Sequence, residues 1–120
     1  MRIRILATLL LLGLVNTAGA ERVLRDVERP FEITVGQLTL PKDTSGPLTL
    51  RACDSCKFNS YRLQGTTKFV LDGREIKYAD FARAVDALRG SAAADATVVS
   101  VLIDRTTENV TRVAVHRPSR

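Results

Sequence analysis

Residues 68–90 of this 120-residue chain read KFVLDGREIKYADFARAVDALRG, a short hairpin followed directly by an amphipathic segment. The pair Asp72-Gly73 indicates the hairpin, because a two-residue type I′ turn needs positive φ at both positions and these residue types tolerate it. Such a turn sets the cross-strand pairs, Leu71 with Arg74 and Phe69 with Ile76. The apolar members of these pairs then share one face, as a half-buried sheet requires. We therefore predict a structural turn at Asp72 and Gly73.

The amphipathic segment is predicted to be a helix of about residues 78–89. Its apolar residues recur at three- and four-residue spacing and form one stripe: Tyr78, Phe81, Val85 and Leu88. Asp80 lies near the positive end of the helix dipole, Arg89 lies near its negative end, and Gly90 is suited to ending the helix. The stripe is expected to pack against a sheet.

A second hairpin is predicted towards the C-terminus, from residues 97–103 and 110–115. A three-residue loop of Thr107, Glu108 and Asn109, with Asn109 in the left-handed region, joins the two strands in this prediction. The loop sets the cross-strand pairs, Ile103 with Val113, Val101 with Val115, and Asp104 with Arg112. The last of these pairs is expected to form an ion pair.

The half of the chain before the cysteines also alternates between apolar and polar side chains, which indicates half-buried strands. Alternation begins at Phe31, changes phase at Gly36, where we predict a β-bulge, and resumes at residues 48–53. Residues 21–29 fit one or two helical turns that end before Pro30. Together these segments predict an α+β fold: a small antiparallel β-sheet built of hairpins, with one amphipathic helix packed on it.

The N-terminus has the three parts of a secretory signal peptide. Arg2 and Arg4 form a basic start, residues 5–15 are almost entirely apolar, and the segment ends in Ala18-Gly19-Ala20. A membrane-spanning helix needs about 20 apolar residues, and this run is only roughly half as long. We therefore predict a signal peptide at residues 1–20, and a single small α+β domain at residues 21–120 that is exported to the periplasm or secreted. No stable membrane span is expected after cleavage.

The charge of the chain gives little support for nucleic acid as a partner. The full sequence has 18 basic and 13 acidic residues, and removal of the signal peptide leaves 16 and 13, a net charge of +3. In the segment that follows the predicted cleavage site the two signs alternate, whereas nucleic-acid-binding proteins usually concentrate basic residues on one face. We expect no nucleic-acid partner.

The motif Cys53-Asp54-Ser55-Cys56 has three interpretations. A redox-active pair is expected in a thioredoxin-like βαβ context with a helix at the first cysteine, and the sequence around the motif does not predict one. A zinc site needs four ligands, and the only histidine, His116, lies sixty residues away. A structural disulfide fits best, because Asp54 and Ser55 favour a β-turn that brings the two cysteines close together.

No nucleophile–base pair, phosphate-binding loop or metal motif is evident in the rest of the sequence. The carboxylates Asp72, Asp80, Asp86 and Asp104 are spread over turns and an amphipathic surface. No catalytic residue, metal site or cofactor is therefore predicted. We expect an exported, periplasmic, non-catalytic accessory or protein-binding domain that binds another cell-envelope protein through an edge strand or a sheet face. The alternative is a thiol-disulfide redox or thiol-metal protein that uses Cys53 and Cys56.

Overall fold

The computed structural model of the protein describes residues 27–118. The predicted signal peptide, and most of the predicted helical turns at residues 21–29, lie outside the described residues. The elements, in chain order, are β1 (Glu28–Thr34), β2 (Leu38–Thr39), β3 (Pro47–Leu50), β4 (Asn59–Arg62), β5 (Lys68–Leu71), β6 (Arg74–Ile76), α1 (Tyr78–Arg89), β7 (Val98–Asp104) and β8 (Val110–His116). Two 3-10 turns lie at Val35–Gln37 and Ala94–Ala96.

The strands form two sheets. A five-stranded sheet, called the large sheet below, has the order β1-β7-β8-β5-β6, and a three-stranded sheet, called the small sheet, has the order β2-β3-β4. All pairings are antiparallel except that of β5 with β8, which is parallel. The predicted α+β class is confirmed. The large sheet is mixed rather than purely antiparallel: β6, α1 and β7 connect β5 to β8, and this long connection allows the two strands to run parallel.

The hairpin of β5 and β6 has the predicted register. Leu71 pairs with Arg74 and Phe69 pairs with Ile76. Between the strands, the φ angles of Asp72 and Gly73 are 49° and 83°, so both residues have the positive φ of a type I′ turn. The helix α1 that follows has the predicted bounds, and Phe81 and Val85 on its apolar stripe are fully buried.

The register predicted for the β7–β8 hairpin is wrong by two residues. Val101 pairs with Val113 rather than Val115, and Arg112 lies opposite Leu102, so the expected ion pair of Asp104 with Arg112 does not form. The Asp104 carboxylate instead accepts hydrogen bonds from the backbone N–H groups of Thr106 and Thr107, at 2.8 and 3.1 Å. This side-chain cap tightens the loop, and positive φ falls on Glu108 (59°) rather than on Asn109.

The first strand is longer than predicted, because it begins at Glu28 and includes Pro30. The N–H of Arg105, just after β7, donates to the carbonyl of Val27 at 2.8 Å. Every second residue of β1, beginning with Arg29, therefore has its backbone N–H and C=O groups on the side of β7. Pro30 occupies an outward position, where its missing N–H interrupts no ladder bond. At Gly36 the structure has a 3-10 turn instead of the predicted bulge, and this turn allows both Val35 and Leu38 to be buried.

One face of the large sheet carries the core. Phe31, Val101, Val113 and Phe69 lie in one inward row across four strands. Phe31 contacts Tyr61 of the small sheet, with ring centroids 5.9 Å apart, and Phe69 contacts Phe81 of α1, at 5.3 Å. The helix and the small sheet therefore cover the same side of the large sheet. Within residues 27–118, no helix is long and apolar enough to cross a membrane.

Candidate functional site

Cys53 and Cys56 lie in a turn that follows β3. Their Sγ atoms are within covalent bonding distance, their Cα atoms are 5.0 Å apart, and the N–H of Cys56 donates to the carbonyl of Cys53 at 3.1 Å. Both residues are partly exposed. The pair thus cross-links the two ends of a surface β-turn, which has the geometry that the structural-disulfide interpretation needs.

Gln37 holds this turn against the rest of the fold through three separate groups. Its Oε1 accepts the N–H of Thr34 at 3.0 Å, and its Nε2 donates to Oδ1 of Asp54, inside the turn, at 2.9 Å. Its backbone carbonyl accepts the N–H of Arg51 at 3.0 Å. The disulfide turn is therefore fixed by hydrogen bonds to the end of β1 as well as by its covalent bridge.

Arg51 and Phe58 flank the turn and contact each other across it. The guanidinium carbon of Arg51 lies 5.0 Å from the centroid of the Phe58 ring, within the range of a cation–π contact. One Nη of Arg51 also donates to the carbonyl of Asp54 at 3.2 Å, and its Nε is buried without a hydrogen-bond partner in the described part of the chain. The Phe58 side chain remains 49% exposed, so the fold presents an aromatic ring and an arginine side by side at the surface.

These residues extend the outward face of the small sheet. Leu48 and Leu50 of β3 are fully buried, so Thr49 and Arg51 point to the opposite side of the strand. The pairing places three hydroxyl-bearing residues in one outward row, Thr39, Thr49 and Ser60. The next row contains Gln37, Arg51 and Phe58, one residue beyond the paired strand ends. These six residues are called the outer face of the small sheet below.

The surroundings of the cysteines differ from those of a redox-active pair. The turn lies between two β-strands, β3 before it and β4 after it. Neither cysteine therefore lies at the N-terminus of a helix, where a helix dipole would stabilise a thiolate. The Ser55 hydroxyl, within the turn itself, lies 3.6 Å from Sγ of Cys53.

His116 and the cysteines belong to different sheets of the fold. It is exposed at the end of β8 in the large sheet, opposite Val98 of β7. In residues 27–118, no group of three or more His, Cys, Asp or Glu side chains is arranged to hold a metal ion. The fold therefore does not bring His116 together with the Cys53–Cys56 pair.

The carboxylates considered in the sequence have separate structural contacts. Asp72 accepts the backbone N–H of Arg117 at 2.8 Å and its Nε at 2.6 Å, and these hydrogen bonds hold the pKa of Asp72 below its ordinary value. The N–H groups that cap the loop lower the pKa of Asp104 in the same way. Asp80 pairs with Arg83 at 2.7 Å on the exposed side of α1, where Asp86 is also exposed. These groups lie apart and form no acid–base pair with one another.

Edge pairing along β1 is hindered by two features. At its outward positions, Pro30 offers no N–H, and the N–H of Thr34 is already bonded to the Gln37 side chain. Both features are typical of edge strands that are protected against association with another strand. The sequence predicts a partner site at an edge strand or on a sheet face. The edge formed by β1 is poorly suited to be that site.

Sequence reasoning missed Gln37, Arg51 and Phe58. The alternation that places Leu48 and Leu50 inside also places Arg51 outside, and this signal was available in the sequence. The position of Gln37 depends on the pairing of β2 with β3, which no local pattern indicates.

Comparison with known protein families, with curated protein sequences and with solved structures finds no significant match to this chain.

Proposed function

We propose that this protein is an exported, non-catalytic accessory domain of the cell envelope, located in the periplasm, which acts by binding another envelope protein. The observation that carries the proposal is the half-exposed Phe58, held next to Arg51 by a cross-linked turn. The basic, apolar and small-residue segments of residues 1–20 support export. A bridged cysteine pair is compatible with the oxidising compartment to which that route leads.

The chemistry of this surface favours protein binding. Aromatic side chains and arginine are enriched among the residues that dominate the affinity of protein interfaces. Ordering a loop on binding opposes association, and a turn already fixed by a disulfide and by Gln37 has less freedom to lose. Arg51 and Phe58 are therefore positioned before a partner arrives.

The proposal is tested by in-cell crosslinking of the full chain, followed by identification of the captured species. We expect one reproducible protein adduct, whose yield falls when Phe58→Ala is introduced. The matched control is Val98→Ala, which removes a similarly exposed apolar side chain from the large sheet. Capture that is absent would contradict the proposal, whereas capture that is equally sensitive to both substitutions would show that the partner binds elsewhere than at Phe58.

The second candidate is a thiol-disulfide redox or thiol-metal function of Cys53 and Cys56. The partial exposure of both cysteines favours it, because an exchanging thiol must reach the sulfur that it attacks. The reduction potential of the pair separates the two functions. A structural bridge is expected below about −300 mV, whereas a catalytic pair lies well above that value.

A further inference from the structure

We propose that the outer face of the small sheet is the surface that binds the partner, and that the partner presents there an acidic segment with an apolar side chain next to its carboxylate. This inference rests on the proposed function and adds to it the surface and the chemistry of the partner. The argument uses charge, the Arg51–Phe58 contact and a comparison with the other exposed sheet face.

The charge around the outer face of the small sheet has a small positive excess. Between residues 51 and 62 the basic side chains are Arg51, Lys57 and Arg62, and the acidic one is Asp54. Glu108, from the loop between β7 and β8, lines a surface pocket together with Ser60 and Arg62 and is the second acidic residue on this side. The Asp54 carboxylate accepts a hydrogen bond from the Gln37 side chain, so one of its oxygens is already bonded within the protein. Complementary charge steers association and disfavours partners of the same sign, so this surface favours an acidic segment.

The exposed face of the large sheet has no comparable bias. Four acidic residues, Glu28, Glu32, Glu75 and Asp104, lie on it together with two basic residues, Lys68 and Arg112. Leu102, Ser100 and Ala114 occupy positions between them. Because both signs are interspersed, an acidic segment meets repulsion as well as attraction on that face.

The Arg51–Phe58 contact specifies the rest of the partner's chemistry. The Nε of Arg51 is buried and one Nη is bonded to the Asp54 carbonyl, so a carboxylate approaches from the Nη end of the guanidinium. The Phe58 ring lies 5.0 Å from the guanidinium carbon and is half exposed. An apolar side chain next to the carboxylate covers this ring when the carboxylate reaches Arg51, and removes apolar surface from water.

The location is tested by replacing a single residue with a photoreactive phenylalanine derivative in the full chain, expressed in cells. One strain carries it at Phe58, and a second carries it at Val98, which is 45% exposed on the large sheet. We expect one discrete protein adduct from position 58 and at least five-fold less from position 98. Capture at position 98 alone would overturn this inference and leave the proposed function standing, whereas no capture at either position would contradict both. A glycan or nucleic acid captured at position 58 would also overturn it.

The charge argument is tested with the protein captured at position 58 and two variants of equal charge change. Lys57 is exposed next to Phe58, and Lys68 is exposed on the large sheet. Lys57→Glu is expected to weaken binding at least five-fold at low salt and by much less at high salt, because salt screens exposed charges. Lys68→Glu is expected to change binding less than two-fold, and both variants are expected to melt at the wild-type temperature. Equal effects of the two variants, or a crosslinked partner peptide without Asp or Glu, would overturn the inference.

Discussion

Gln37 joins parts of the chain that are distant in sequence. Its side chain bonds Thr34 at the end of β1 and Asp54 in the disulfide turn, and its carbonyl bonds Arg51. A hydrogen bond of this kind contributes about 1 kcal/mol in proteins. The turn is thus held by several modest interactions, and the disulfide is one of them.

The double substitution Cys53→Ser/Cys56→Ser is expected to lower the free energy of unfolding by about 2 kcal/mol or less. The closed loop is short, so removing the bridge frees little entropy in the unfolded chain. The hydrogen bonds of Gln37 and Arg51 remain to hold the turn. Urea unfolding of the wild-type and variant proteins measures the difference, with reduced wild-type protein as the control. A loss above about 4 kcal/mol would show that the bridge organises far more of the fold than the turn.

Acid is expected to weaken the link between Asp72 and Arg117. The folded-state pKa of Asp72 is lowered from the ordinary 3.8 by its hydrogen bonds to Arg117, so the stabilisation is fully present above that value and is lost as the pH falls through the folded-state pKa. Asp72→Asn suits the positive φ of the turn and removes the titrating group. Melting temperatures recorded from pH 5 to pH 2 should fall less steeply for the variant. Identical slopes for the two proteins would contradict this assignment. The acid sensitivity that remains in Asp72→Asn is attributed to Asp43 and Asp104, whose pKa values are also lowered.

At the scale of the elements, α1 depends on the residues that it buries against the large sheet. Phe81 is fully buried and contacts Phe69, whereas Leu88 is only partly buried. Phe81→Ala is therefore expected to reduce the free energy of unfolding by about 3–5 kcal/mol, and Leu88→Ala by less. The exposed Asp86 provides the control, because Asp86→Ala should change stability by no more than about 0.5 kcal/mol. A small effect at Phe81 would show that the helix does not form part of the core.

The hairpins show which structural features were predictable from the sequence. The β5–β6 register follows from Asp72-Gly73 alone, because a two-residue turn permits one pairing. The β7–β8 register was missed since the Asp104 side chain caps the loop, and several loops are compatible with the same strands. The error is two residues, which preserves the face of each side chain, so Val101, Ile103, Val113 and Val115 still share one buried face.

The candidate site was predicted only in part. Cys53 and Cys56 are close in sequence, so their proximity follows from the turn between them. The row of Gln37, Arg51 and Phe58 requires the long-range pairing of β2, β3 and β4, and local patterns do not specify which strands pair. The parallel pairing of β5 with β8 escaped prediction for the same reason.

For the whole molecule, the arrangement of layers separates stability from binding. The helix and the small sheet cover one side of the large sheet, and the inward rows of all three supply the core. The small sheet uses its inner side for this core, through Leu38, Leu48 and Leu50, and no other part of residues 27–118 packs over its outer face. Substitutions of exposed residues on that outer face, such as Phe58, are therefore expected to affect binding more than folding.

Export is expected to remove 20 residues and leave Glu21 as the new N-terminus. The basis is the Ala18-Gly19-Ala20 sequence at the end of the apolar run. N-terminal sequencing of the protein recovered from the periplasm or medium measures the cleavage site. A protein that still begins at Met1 would contradict the export argument.

The most direct measurement is capture by in-cell crosslinking of three forms of the protein, analysed on one non-reducing gel: the wild type, Phe58→Ala and Cys53→Ser/Cys56→Ser. If the protein binds through its surface, the wild type and the double-serine variant capture the same partner, and Phe58→Ala loses most of it. A redox protein gives the opposite pattern, because the bond to its partner forms at a sulfur. An adduct that survives Phe58→Ala and disappears with the cysteines would contradict the account.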